Sequence, residues 1–310
     1  GMPSSIGHDF FEDIEARFHE IQRITTPTGI PELDKKEVLD GGLGRGELGV
    51  VVAPTGVGKS HWLVAMGCEA LRRGKTVVHY TFELSETLTG KRYDANICNI
   101  DCSDLLENKE KVIKTYEDGE FGNLVIKYYP TRTASVNTIR NHLEKLKFRN
   151  YWPSVVIIDY ADVMKSTRQY DALRLELQLI YEELRQLAAD FNVPVWTASQ
   201  SNRSGAREEI VGLENMGEAY GKAQVSDVVV GLSRKPEEKA SGFGRLFLAK
   251  NRAGMDGIQM PVRIDTAQSR FRVLKDNETE QYEMSCNPTK ALNKVWEKVK
   301  AAKENCSEDL

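Results

Sequence analysis

Ala53-Pro54-Thr55-Gly56-Val57-Gly58-Lys59-Ser60 is the stretch on which the reading of this chain turns. The residues before it read as a strand over 47–53 and those after it as a helix over 59–73. Strand, glycine-rich loop and helix in that order make a cradle for a polyphosphate. Gly56 and Gly58 let successive backbone N–H groups wrap around phosphate oxygens. The helix N-terminus adds free amides and a favourable dipole. Lys59 would reach the β- and γ-phosphates, and the Ser60 hydroxyl would ligate Mg²⁺. Thr55, Gly56, Val57, Gly58, Lys59 and Ser60 are therefore expected to hold ATP with its magnesium ion. The strict pattern begins with Gly, and Ala53, nearly as small, stands there instead.

Outward from this loop, strands and helices alternate. Strands are expected at 75–81, 123–128 and 193–199, and helices at 86–99, 137–148 and 171–191. Ile139, Leu143 and Leu146 line one face of the second of these helices; Leu177, Ile180, Leu184, Leu187 and Phe191 line the third. Val155–Ile158 has the continuous apolar character of a strand buried on both faces. Further strands are expected near 226–232, 245–250, 260–265 and 270–274. This pattern predicts an α/β fold, a mostly parallel central sheet flanked by helices, with an antiparallel extension near the C-terminal end. No internal repeat is visible.

The ends differ from this core. Residues 9–22 carry Phe10, Phe11, Ile14, Phe18 and Ile21 at helical spacing, opposite Glu12, Glu15 and Arg17. A turn-rich stretch with Pro27, Gly29 and Pro31 follows, then Gly41, Gly42, Gly44 and Gly46 lead into the strand before the phosphate loop. Residues 276–310 are charged and mostly polar, a tail expected to be partly helical around 288–303. The expected division is an arm at 1–24, one domain over 25–275 and a tail at 276–310.

Composition sets limits. The 310 residues are 40% hydrophobic and 28% charged, which supports a sizeable core and argues against wholesale disorder. A net charge of −4 neither requires nor forbids nucleic acid, because binding needs only a local basic surface. Cys68, Cys98, Cys102, Cys286 and Cys306 lack the paired spacing of a zinc site and are expected to be reduced thiols of a cytoplasmic protein. No apolar run approaches the ~18 residues that span a bilayer, and no signal peptide is visible. Gly1 before Met2 reads as a scar of expression.

Three strand ends carry polar residues suited to the chemistry of a bound triphosphate. Asp159 closes the apolar run Val155–Ile158 and would emerge beside the phosphate loop, holding Mg²⁺ through a water or through Ser60. Without that loop it would read as a helix cap or loop acid. Glu83 follows the strand at 75–81. In a parallel sheet that strand can neighbour the phosphate-loop strand, and Glu83 would then face the γ-phosphate and orient or deprotonate the attacking water. Gln200 ends the strand at 193–199 and suits a sensor of the γ-phosphate, since its amide both donates and accepts.

Four strand-end motifs in this order resemble the RecA-like domain of DnaB-type hexameric replicative helicases, most closely those of tailed phages. The resemblance spans about 25–275. It runs from Thr28-Gly29-Ile30-Pro31-Glu32-Leu33-Asp34 and Gly41-Gly42-Leu43 through Phe82-Glu83-Leu84-Ser85, Ile158-Asp159-Tyr160 and Ser199-Gln200-Ser201-Asn202-Arg203. It ends with Ala249-Lys250-Asn251-Arg252-Ala253-Gly254. It implies a ring hexamer with ATP sites between subunits, in which Lys250 and Arg252 act in the neighbour's site. It also implies that the stretch 201–224, with Arg203, Arg207 and Lys222, faces single-stranded DNA, through phosphate contacts that salt would weaken.

The helix at 9–22 is similar to the family's linker helix, which docks on an adjacent subunit; packing on its own domain is the alternative. Nothing comparable to the bacterial members' amino-terminal domain precedes residue 25, which leaves ring formation and partners such as a primase or helicase loader open. The leading expectation is an ATP-driven motor on single-stranded DNA. The runner-up is a recombinase or clock-type regulatory ATPase without unwinding, and a nucleotide-binding protein without turnover is a third class.

Overall fold

The computed structural model describes residues 7–18, 23–201 and 220–286. In chain order its elements begin with helix α1 (Ile14–Phe18), strands β1 (Thr25–Thr26), β2 (Leu43–Gly44) and β3 (Leu48–Ala53), and helix α2 (Lys59–Arg72). Next come β4 (Val77–Thr81), α3 (Glu86–Cys98), α4 (Lys109–Asp118), β5 (Leu124–Tyr128), α5 (Val136–Phe148), β6 (Val155–Asp159), α6 (Leu173–Phe191) and β7 (Val195–Gln200). The chain continues with α7 (Tyr220–Val225), β8 (Val228–Ser233), α8 (Pro236–Ser241), β9 (Phe243–Asn251), β10 (Ile258–Asp265), β11 (Arg270–Val273) and α9 (Asp276–Cys286).

Nine strands form one sheet in the order β11-β10-β9-β8-β3-β7-β6-β4-β5. β8, β3, β7, β6, β4 and β5 run parallel, and β9, β10 and β11 add the antiparallel extension that the strand-dense end predicts. The apolar runs at its centre bury both faces. Val51 and Ala53 pack with Trp62, Leu63 and Met66 of α2, while Val50 and Val52 pack with Ile139 and Leu143 of α5 and Ile180 and Leu184 of α6. Each buried Val, Leu, Ile or Met side chain among them contributes about 1.5–3 kcal/mol, so both helical layers are held by the same short strands.

Where α2 meets α3 the contact is closer than most side chains allow. A Cβ added at Gly67 would lie 2.1 Å from the Tyr93 hydroxyl oxygen, which is hydrogen-bonded to His79 Nδ1 at 2.8 Å in a fully buried setting. Gly67→Ala gains roughly 1 kcal/mol of helix propensity. It loses about 1–3 kcal/mol to overpacking and a further ~1–3 kcal/mol if the tyrosine leaves its imidazole partner. Net destabilisation of about 1–5 kcal/mol is expected, read as a lower denaturant midpoint at unchanged slope.

The sequence pattern and the fold part company in a few places. The helix expected at 9–22 is α1 alone within residues 7–18; Asp9 accepts hydrogen bonds from the amides of Phe11 and Glu12 and makes a turn there, and 19–22 lie outside the described residues. The stretch from 276 opens with α9, joined to β11 by the Arg272–Glu278 ion pair at 2.6 Å and to β9 by an edge-on Phe243–Tyr282 contact; the helix expected at 288–303 lies outside the described residues. α4 and α8 have no counterpart in the periodicity reading. Among the described residues Cys68, Cys98 and Cys102 are free, and no helix is long and apolar enough to cross a membrane.

Candidate active site

The phosphate loop lies where the sequence places it, between the last residue of β3 and the first of α2. Gly56 (φ 75°) and Gly58 (φ 122°) both adopt positive φ, which a residue with a Cβ resists. Val57 is buried and anchors the loop, while Thr55 and Gly56 are exposed at its mouth. No side chain caps the amino end of α2, so its first amides remain available to an anion, as does the positive end of the helix dipole. Lys59 is buried, its ammonium 4.7 Å above the Tyr160 ring.

β6 brings the first acid to this loop. The Ser60 hydroxyl donates to Asp159 Oδ1 at 3.1 Å. Burial pushes the Asp159 carboxyl above its ordinary pKa, against the Ser60 hydrogen bond and the charge of Lys59. A hydroxyl and a carboxylate are hard oxygen donors. Among the described residues no cluster of His, Cys, Asp or Glu forms a complete metal cage. A cation here would take Ser60 and Asp159 on one side and phosphate oxygens and water elsewhere, the incomplete protein ligation that suits Mg²⁺. The residues present fit a nucleotide and a magnesium ion.

Glu83 arrives by a route the sequence does not reveal. Its strand β4 does not neighbour β3, because β7 and β6 lie between them. It neighbours β6 instead: Thr81 pairs with Asp159, and the Phe82 amide donates to the Asp159 carbonyl at 2.9 Å. The turn that follows is shaped by Thr81, whose hydroxyl both accepts from the Leu84 amide and donates to the Leu84 carbonyl. Ser85 then caps α3 by accepting from the Leu88 amide at 3.2 Å. Glu83 is left exposed between these fixed points, beside Asp159. Tyr160 stands between the groups, its phenol pushed up to about 12 by burial first and then by Glu83 and Asp162.

Gln200 is the strand partner of Ala53, and its side-chain amide donates to Thr55 Oγ1 at 2.7 Å. The sensor candidate therefore touches the mouth of the loop. Arg92 of α3, which no motif marks, faces the same region and acts on both Asp159 and His61 through its charge.

The remaining candidates are elsewhere. Arg203 and Arg207 lie outside the described residues. Lys222 is buried rather than surface-exposed, paired with Asp162 at 2.9 Å, so its ammonium is not presented as a phosphate contact. Lys250 and Arg252 lie at the end of β9, which is antiparallel to β8 with Lys250 opposite Val229. They therefore sit at the amino end of β3, beside Asp227, which also accepts from the Leu48 amide at 2.8 Å. β3 separates them from the phosphate loop by about 17 Å at ~3.3 Å per residue. Arg252 Nη1 is 3.1 Å from Asp227 and Nη2 donates to the Gln224 carbonyl; Lys250 Nζ donates to the carbonyls of Ala223 and Gln224.

Residues 25–272 match the family described as the DnaB-like helicase C terminal domain. The chain belongs to that family. A DnaB-like replicative helicase of Enterobacteria phage T4 is 29% identical over 262 residues, covering 81% of this chain and 55% of the relative. A probable plasmid replicative DNA helicase of Chlamydia psittaci is 23% identical, covering 81% of this chain and 56% of the relative. The chain thus spans about half the length of the curated relatives it matches.

Among solved structures, a DnaB-like replicative helicase solved to show its interactions with primase superposes with a TM-score of 0.70 at 19% identity, covering 86% of this chain and 65% of the other. A separately solved ATPase domain gives the same TM-score, identity and share of this chain, over 96% of its own length. The RadB recombinase shares the fold less closely, at a TM-score of 0.52. Family membership separates the two leading expectations: this RecA-like chain groups with DnaB-like helicases and not with the recombinases.

Proposed function

We propose that this chain is the ATP-hydrolysing motor of a replicative DNA helicase, moving on single-stranded DNA as a ring in which each nucleotide is held between two subunits. The observation that carries this reading is the separation of Lys250 and Arg252 from their own phosphate loop by the length of β3. Cations on that side of the sheet have no access to their own nucleotide, and a neighbouring subunit brings them to one.

In each such site Thr55, Gly56, Val57, Gly58, Lys59 and Ser60 hold the phosphates. Ser60 and Asp159 hold Mg²⁺, which would neutralise charge on the β- and γ-phosphates. Glu83 orients the attacking water and accepts its proton. Gln200, bonded to Thr55 in this structure, changes partner when a γ-phosphate is present. Lys250 and Arg252 of the next subunit stabilise charge on the transferring phosphoryl group.

The arm that carries α1 supports the same assembly. Phe10, Phe11 and Phe18 are 63%, 76% and 75% exposed, and no residue of α1 is buried. Docking on an adjacent subunit would cover this apolar face. Residues 25–275 form the motor in this reading, a primase is the partner class, and the host or infected-cell cytoplasm is the place of action. Arg203 and Arg207 are proposed as phosphate contacts to the DNA strand.

Single-stranded DNA is expected to stimulate ATP turnover about tenfold or more, the size of an ordinary coupling free energy of ~1–3 kcal/mol. The affinity should fall with salt at a log–log slope of roughly −0.7 per phosphate contacted. Assembly size is measured with Mg²⁺ and a nonhydrolysable ATP analogue. Turnover that ignores the strand in assembled protein overturns the motor reading.

A further inference from the structure

Lys222 is a fully buried lysine that neither phosphate binding nor metal ligation uses. Its ammonium lies 2.9 Å from Asp162 Oδ1 and 3.2 Å from Ser199 Oγ. Asp162 in turn accepts from the Gln200 backbone amide at 3.1 Å, from Ser199 Oγ at 3.0 Å and from the Tyr181 hydroxyl at 2.9 Å. A hydrophobic pair could fill such a place with equal or greater stability, so the ion pair points to a positional task.

The task is indicated by the two sets of contacts that α7 makes. On one side, Asp162 joins Lys222 to the backbone of Gln200, whose side chain holds Thr55 at the mouth of the phosphate loop. On the other side, the two carbonyls that directly follow Lys222 are those gripped by the trans-acting candidates. Lys250 Nζ takes Ala223 at 2.6 Å and Gln224 at 3.0 Å, and Arg252 Nη2 takes Gln224 at 3.0 Å. Within the described residues the two sets of contacts on α7 lie within one turn of each other, at about 1.5 Å per residue, so a shift of one is a shift of the other.

We propose that Lys222 is a positioning residue: its ion pair with Asp162 ties the nucleotide sensor Gln200 to α7 and thereby sets where Lys250 and Arg252 stand for the neighbouring site. A change of partner at Gln200 pulls on Asp162, moves α7 through Lys222, and alters the grip of Ala223 and Gln224 on both cations. The state of one nucleotide is thus passed to the next interface. The inference rests on the shared-site reading above.

The test uses full-length protein with Lys222→Met and with Asp162→Asn combined with Lys222→Met, the second variant removing both charges of the pair. Both are expected to form rings with the nonhydrolysable analogue and to keep KM for ATP within about twofold, since the phosphate loop is intact. Both are expected to lose on the order of tenfold in kcat, the scale of a coupling between sites. Mixing either with Glu83→Ala subunits, which carry intact cations but no base, should restore turnover at mixed interfaces.

The pair Arg252→Ala and Glu83→Ala is the control. If the control recovers and the Lys222 variants do not, the coupling role is overturned and the shared site stands. If the control fails under proven subunit exchange, the shared site and the coupling role fall together. Unchanged kcat in the folded double variant means that the ion pair is structural only, and overturns the proposal.

Discussion

Lys59→Ala is expected to lower kcat/KM for ATP by about 10²–10³-fold while leaving the protein about as stable as before. The first half follows from position. The ammonium begins α2 beside Asp159, at the loop whose uncapped amides face an incoming anion. Loss of one preorganised donor to developing charge costs about 3–4 kcal/mol of barrier.

The second half follows from electrostatics without a ligand. A cation in the first turn of a helix opposes the dipole, which offsets its attraction to the buried Asp159 carboxyl. Alanine is also the better helix former. With these effects opposed, Lys59 adds little to the fold, and its place at the loop is explained by function. Thermal unfolding of the apo-protein and steady-state turnover, measured on the same preparation, check both halves. Retained turnover would remove the phosphate-loop assignment.

Much of this site could be read along the chain, because its residues sit where a run of regular structure ends. Val155–Ile158 followed by Asp159, and the strand before Gln200, announce acid and amide at the carboxyl edge of a parallel sheet with no knowledge of strand order. Order itself is not written locally. Glu83 reads as a neighbour of the phosphate loop because its strand comes next in sequence, whereas crossovers insert β7 and β6 between them. It reaches the site through the pairing of Thr81 with Asp159.

Lys222 shows the complementary failure. A lysine among Gly, Ser and Asn residues looks solvated, and its partner Asp162 lies on a different element. Nothing in the spacing of either residue signals the pair. α8 escapes the sequence pattern for a different reason: Pro236 at its start fits a first helical position as well as a turn, and so few residues give no period to read.

Arg252→Ala is expected to cut turnover of assembled rings by about 10³-fold or more, within the range of an arginine finger, with nucleotide affinity nearly unchanged. The fold should tolerate the loss. Asp227, buried at the amino end of β3, keeps the Leu48 amide at 2.8 Å and Arg185 at 2.7 Å when Arg252 is gone. Arg252 is itself half exposed, so its own ion pair is screened and contributes well under ~1 kcal/mol.

Stability and catalysis therefore separate at this residue. A purely structural arginine would do the opposite, lowering the unfolding midpoint while sparing turnover of the folded protein. Geometry adds a sharper demand. Since β3 keeps Arg252 away from its own phosphate loop, subunits lacking Arg252 and subunits lacking Glu83 are each inactive for complementary reasons. An interface taking its phosphate loop from the first and its cations from the second is complete. Turnover in the mixture should exceed that of either variant alone and vary with mixing ratio. A flat response, with exchange demonstrated by labelled subunits, would mean that Lys250 and Arg252 serve only the last turn of α7 and Asp227, and that the nucleotide is hydrolysed without a neighbour's help.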